Sequence, residues 1–180
     1  MENKRPKRKV LPHERPAWVR EDAIFFITVC CDPRGQNQLC HEAVAGKLFE
    51  TVEFRQDRGE WYARLLLLMP DHVHGLISFP IDQSMCQVVS DWKESATRRA
   101  GVRWQRDFFD RRLRNDESYV EKAYYIRMNP VRKDLVENYE NWPYVWPKKV
   151  GGPDCTAAEF RRNRAVPPSS SVGQGCPTLP

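Results

Sequence analysis

The chain has 180 residues, 41% hydrophobic and 29% charged, which suits one domain of ordinary size with tails. No apolar run is longer than the strand-sized Leu65–Met69, far short of the roughly 18–20 residues a membrane helix needs. The basic start MENKRPKRKV leads into no apolar segment of a secretory signal. These features predict a cytoplasmic protein with no membrane partner. The six dispersed cysteines (Cys30, Cys31, Cys40, Cys86, Cys155, Cys176) form no CxxC pair and read as reduced thiols.

The net charge of +5 is unevenly placed. Residues 1–10 carry +4 and residues 98–114 carry +5, leaving −4 for the remainder. A near-neutral body with two concentrated basic segments points to a polyanion partner, although an isolated arginine run is more often a solvated face.

Residues 1–20 mix basic side chains with Pro6, Pro12 and Pro16 and read as a flexible arm. Ala23–Cys31 (AIFFITVCC) is β-branched and aromatic, a buried strand that ends before Asp32-Pro33-Arg34-Gly35. Leu39–Arg58 predicts a helix with Ala43, Leu48, Val52 and Phe54 as its apolar positions. Trp61–Met69 and His72–Phe79, joined at Pro70-Asp71, predict a hairpin. Gln83–Ala100 predicts a helix capped near Asp82 or Ser84, with Val88, Val89, Trp92 and Ala96 on its apolar face. Val102–Leu113 reads as a fourth strand. Asn115-Asp116-Glu117 opens a helix to about Met128, with acidic residues where the helix dipole favours them. Residues 151–180, with five prolines and four glycines, are expected to stay disordered. The folded domain is then 21–150. The order βαββαβα predicts an α+β, ferredoxin-like sandwich: an antiparallel sheet with helices on one side.

Two constellations carry chemistry. In Met69-Pro70-Asp71-His72-Val73-His74-Gly75, strand periodicity turns His72 and His74 to one face, spaced to chelate an ion. Gly75 is expected to leave room beside the second histidine. Two histidines alone do not complete a metal site. On the last helix, at 100° per residue, Ser118, Glu121, Lys122 and Asn129 fall within about 60° of Tyr125. Tyr119, Val120, Ala123, Tyr124 and Ile126 occupy the other arc, so Tyr124 is expected in the core and Tyr125 on a polar face.

The histidine pair resembles the HUH motif (His, bulky hydrophobic, His) of single-strand DNA nucleases. The segment Tyr124-Tyr125-Ile126-Arg127-Met128-Asn129-Pro130-Val131-Arg132-Lys133-Asp134-Leu135-Val136 resembles the Y-I-x-x-N-P-V-[RK]-x-x-L-V segment of REP-associated tyrosine transposases, relatives of the single-tyrosine transposases of small insertion sequences. The block Trp104-Gln105-Arg106-Asp107-Phe108-Phe109-Asp110-Arg111-Arg112-Leu113-Arg114 is similar to that family's WQ…F.D…R block. The likeness runs from about Ile24 to Trp146. Asp134 departs from it, standing where the family often has glycine or another small residue.

The resemblance implies an enzyme, a site-specific single-stranded DNA endonuclease with strand joining. Its metal ligands would be His72, His74 and Asn129, and Mg²⁺ or Mn²⁺ suits mixed imidazole and amide ligation with open positions. Tyr125 would be the nucleophile, leaving a 5′-phosphotyrosine and a free 3′-hydroxyl. Lys122 would assist it electrostatically. The implied partner is a single-stranded DNA hairpin of a repetitive extragenic palindrome with an adjacent guide sequence, met at the nucleoid by a monomer or homodimer. Arg98, Arg99, Arg103, Arg106, Arg111, Arg112 and Arg114 would form a phosphate track, Trp104 a stacking surface, and Lys4, Arg5, Lys7, Arg8 and Lys9 of the arm would follow the backbone. Two other classes compete. A non-catalytic DNA-binding protein on the same scaffold has no need of His72, His74, Tyr125 and Asn129 together. A structural zinc protein would draw on His72, His74 and scattered cysteines, but the spacing is poor and neighbours such as Cys30 and Cys31 point to opposite faces.

Overall fold

The computed structural model describes residues 23–113 and 116–148, without the side chains of residues 116–118. The basic arm at 1–20, with Lys4, Arg5, Lys7, Arg8 and Lys9, lies outside the described residues, as do Arg114, Asn115 and the tail at 151–180. The predicted order is observed: β1 (Ile24–Cys31), α1 (Glu42–Asp57), β2 (Tyr62–Met69), β3 (His72–Ser78), α2 (Met85–Ala100), β4 (Trp104–Arg112) and α3 (Asp116–Arg127). A short α4 (Asn129–Arg132), a 3₁₀ turn at Tyr139–Asn141 and a two-residue β5 (Val145–Trp146) complete it.

The sheet is antiparallel, in the order β4-β1-β3-β2-β5. Its central strands are apolar on both faces because both are covered. Phe25, Ile27, Val29 and Cys31 of β1, with Leu66, Leu68, Val73 and Ile77, meet α1 and α2. Ile24 and Phe26, with Leu65, Leu67, Met69 and Leu76, form a second core under Ile126 of α3 and Trp142. The expectation of helices on one side therefore holds for α1 and α2, while α3 packs on the opposite face. Strand alternation decides this: with two large apolar faces, a single helical layer would leave one of them in water.

Local chemistry places each layer. Ser84 caps α2, its side chain accepting from the Gln87 N–H, and Gly101 closes the helix at φ 71°. The Trp92 indole donates to Thr51 Oγ1 at 3.0 Å, tying α2 to α1. The buried apolar stripe of α1 is Ala45, Leu48, Phe49 and Val52, so of the four apolar positions read from the sequence Leu48 and Val52 are buried while Ala43 and Phe54 are exposed. Beyond the helices, the Trp142 indole donates to the Leu68 carbonyl at 2.9 Å, and β5 pairs with β2 through Leu66 and Leu67. These bonds return the chain to the sheet.

Gly75 serves the other face from the one expected. A Cβ there would meet Ile27 Cγ1 at 3.1 Å and Ile77 Cδ1 at 3.3 Å, so its smallness relieves the core under α1 and α2. His74, one residue earlier, points to the opposite face. Asp134 adopts φ 53°, the left-handed region that glycine occupies freely and aspartate tolerates better than most residues.

Candidate functional site

β1 and β3 lie side by side with Thr28 opposite His74 and Cys30 opposite His72. This register gives each imidazole a partner for Nδ1. His72 Nδ1–H donates to Asp71 Oδ1 at 2.6 Å, and His74 Nδ1 meets Thr28 Oγ1 at 3.0 Å. The two Nε2 atoms are thereby turned towards each other, 3.2 Å apart. Asp71 is itself fixed by the Gly35 N–H at 2.8 Å and by Arg34 Nε at 3.0 Å.

The electrostatics favour a neutral, metal-ready pair. Burial pushes the Asp71 carboxyl up, but the His72 hydrogen bond, the Gly35 N–H and Arg34 outweigh it and hold it below the usual range. Burial lowers His72 despite Asp71, with Arg34 and Lys133 adding to the lowering. Burial also drives His74 down to about 3, helped by His72, Lys122 and Arg34. Two uncharged imidazoles with Nδ1 occupied offer their Nε2 lone pairs to one cation, and such outer partners hold ligating rings in register. The donor set therefore fits a divalent ion. Among the described residues no group of three or more His, Cys, Asp or Glu side chains is arranged to hold a metal.

Asn129 opens α4 just beyond α3. Its Nδ2 donates to the carbonyls of Tyr125 and Ile126 at 3.1 and 3.0 Å, which fixes the orientation of the amide. Tyr125 is 42% exposed. The Lys122 ammonium lies 4.5 Å from the centre of its ring and the Arg132 guanidinium 4.4 Å. Lys122 also sits 3.9 Å from the Phe26 ring, and Phe26 packs on His74 with centroids 5.4 Å apart. A continuous set of contacts thus joins Tyr125 to the histidine pair.

The α3 face differs from the sequence reading. Tyr124 is 56% exposed and Val120 64%, with Tyr124 resting edge-on against Tyr139. The apolar contacts come from Ile126, Tyr119 and Ala123. The arc of Tyr125, Lys122 and Asn129 adjoins this core stripe instead of opposing it, because both arcs must address the same sheet face.

The arginine segment does not form one track. Arg111 is paired in register with Phe26 and shares the histidine face, whereas Arg112 is paired with Phe25 and shares the α1 and α2 face. Arg98 is engaged by Glu94 at 2.7 Å and Arg99 lies 3.9 Å from Glu50, both at the end of α2. Arg103 and Arg106 are exposed around the start of β4. Trp104 is half-buried and packs on Trp92 at 5.4 Å against the edge of the main core, so only part of its indole faces outward. Sequence reasoning missed the site roles of Thr28, Asp71, Arg34, Arg132 and Lys133. Only the Pro33-Arg34-Gly35 turn and the Arg132-Lys133 pair gave a local signal.

Comparison with known proteins follows the same line. The chain is 27% identical over 115 residues to a putative REP-associated tyrosine transposase of Haemophilus influenzae, covering 48% of this chain and 65% of that protein. It is 27% identical over 81 residues to the REP-associated tyrosine transposase of Escherichia coli, covering 43% of this chain and 49% of that one. The matched stretch thus spans less than two thirds of either relative. In fold, the chain is similar to a solved REP-associated tyrosine transposase bound to a REP hairpin, with a TM-score of 0.59 and 21% identity over 73% of this chain and 81% of that one. Residues 25–139 match the family model described as "Transposase IS200 like", and the chain belongs to that family.

Proposed function

We propose that this protein is a metal-dependent single-stranded DNA endonuclease and strand transferase that acts on hairpins of repetitive extragenic palindromes. The observation that carries this reading is the meeting of the His72 and His74 Nε2 atoms at 3.2 Å, on the sheet face where Tyr125 stands between two cations. The names of its relatives support the hairpin as substrate. The setting is the cytoplasm, at the nucleoid; no helix among the described residues is long and apolar enough to cross a membrane. The protein works as a monomer or homodimer and reads a guide sequence beside the hairpin.

His72, His74 and the Asn129 amide oxygen would hold Mg²⁺ or Mn²⁺. Such an ion, when bound, polarises the scissile phosphate and offsets charge developing on it. Asp71 holds His72 in the tautomer that presents Nε2, and Thr28 would accept from His74 Nδ1–H once Nε2 is given to an ion. Lys122 and Arg132 draw the phosphodiester to Tyr125 and balance the anionic oxygens around it. Tyr125 Oη attacks phosphorus, the bond to the 3′ oxygen breaks, and the leaving oxygen takes up a proton as the phenol gives one up. The 5′-phosphotyrosine keeps the phosphodiester energy, so attack by a 3′-hydroxyl rejoins strands without a nucleotide cofactor.

The test is incubation of the chain with labelled hairpin oligonucleotides and Mg²⁺ or Mn²⁺, scored for denaturant-resistant adducts. Wild type is expected to form them and Tyr125→Phe to lose them while retaining hairpin binding. A wild-type protein that binds but never forms an adduct is a DNA-binding factor, and the enzymatic reading is then wrong.

A further inference from the structure

We propose that the exposed face of Phe109 is a platform on which one unpaired base of the bound DNA strand stacks. The inference rests on the function proposed above and names how that site grips its substrate. Phe109 lies in β4, opposite Thr28 of β1, and therefore on the face that carries the histidine pair. It is 51% exposed. Its inner edge meets Phe26 with centroids 6.2 Å apart in a T-shaped contact, and Phe26 in turn packs on His74. The ring is thus held by its neighbours while its other side is open to a ligand.

The surroundings select the ligand. Arg111, two residues along the same strand face, is exposed, and Lys122 stands on the Phe26 ring at 3.9 Å. Among the described residues no carboxylate forms an ion pair with either. A flat apolar surface flanked by two cations that no described carboxylate pairs with, and with Asp107 two residues away on the strand, matches a nucleotide, with its base on the ring and its phosphates on the cations. A second protein chain with an apolar side chain would satisfy the ring and leave the cations without counter-charge. In sequence Trp104 is the more conspicuous candidate for stacking, but its indole is half-buried against Trp92, whereas Phe109 is exposed.

The experiment is an abasic scan. A fluorescent hairpin oligonucleotide with an unpaired flank, and versions lacking one base at a time, are bound to the Tyr125→Phe protein without metal. With Phe109 intact, one flank position is expected to lose about tenfold in affinity when its base is removed. In Phe109→Ala the same removal is expected to cost nothing further, and Phe109→Tyr should restore the loss where Phe109→Leu does not. Equal losses with and without the ring, or full rescue by leucine, overturn the platform while leaving hairpin binding intact. A change from dimer to monomer in Phe109→Ala, with an unaltered abasic profile, also overturns it and assigns the ring to a protein contact. Failure of the Phe109-containing protein to bind any hairpin overturns both this inference and the substrate proposed above.

Discussion

Thr28→Val tests whether the histidine pair is organised from outside. Valine keeps the β-branched shape and the strand packing but removes the hydroxyl 3.0 Å from His74 Nδ1. Without a cation, one of the two Nε2 atoms must carry a proton to sit 3.2 Å from the other. His72 gives its Nδ1 proton to Asp71, so His74 bears hydrogen on Nε2 and its Nδ1 accepts from Thr28. When a cation takes Nε2, the proton moves to Nδ1, and the same hydroxyl accepts it. Threonine serves both tautomers, and valine serves neither. The loss is felt most in the bound state, where the ring is committed and its Nδ1–H has no acceptor. His74 is 9% exposed, so water compensates little, and an unsatisfied buried donor costs about 1–3 kcal/mol. Mn²⁺ affinity measured by calorimetry is expected to fall about 10- to 100-fold, with Thr28→Ser close to wild type. An affinity within about twofold of wild type, in a protein whose melting is unchanged, would refute the reasoning.

Other consequences follow from residues on the opposite face. Gly75→Ala forces a methyl to 3.1 Å from Ile27 Cγ1 and 3.3 Å from Ile77 Cδ1, and both isoleucines are at most 1% exposed. Overpacking of this size costs about 1 kcal/mol or more, so calorimetry should show Tm lower by about 4 °C, with Mn²⁺ affinity intact. An unchanged Tm would show that the strands yield freely. Burial raises the Cys31 thiol to about 12, helped by Asp71, and raises Cys40 to about 12. The folded chain then holds two protons that the unfolded chain releases near the ordinary thiol value. Stability contributed by these thiols is therefore complete below about pH 9 and declines as pH rises towards 12. At pH 8 only about one in 10⁴ of each is thiolate, so mass spectrometry should find both unmodified by iodoacetamide until denaturant is added. Rapid labelling in the native protein would contradict that burial.

The strands and helices were legible because their signals are local: apolar runs, a serine cap, acidic residues opening the last helix. The histidine pair was legible for the same reason, since period-two geometry needs no partner to state it. That period also shows where the reading of Gly75 failed, for a residue next to His74 must serve the other face. It fails the arginine segment likewise, because consecutive residues of a strand cannot share one track, and Arg111 and Arg112 part to opposite sides. The helical wheel gave relative directions without saying which arc meets the sheet, hence the exposed Tyr124. Thr28 as the partner of His74 lies 46 residues away and follows only from strand register. The two-residue β5 is too short to carry a pattern and is held by Trp142 and its neighbours.

The distribution of charge partners says more about function than the basic runs did. Several cations away from the site are paired within the chain: Arg55 and Arg58 share Glu60, and Arg98 meets Glu94. Around Tyr125 they are not. Lys122 and Arg132 lie on its ring, and Arg111 stands near enough that, after burial, it is the further cause lowering Lys122. Among the described residues no carboxylate pairs with any of the three. Like charges gathered without compensation oppose folding, so a site built this way gains its counter-charge from the ligand. These cations come from β4, α3 and α4 and are invisible as a cluster in the sequence. The fold assembles them beside the one tyrosine that also reaches, through Lys122 and Phe26, the imidazoles able to hold a metal. A protein that only bound DNA would profit from the cations, but it would have no use for two neutral histidines locked with Nε2 facing Nε2.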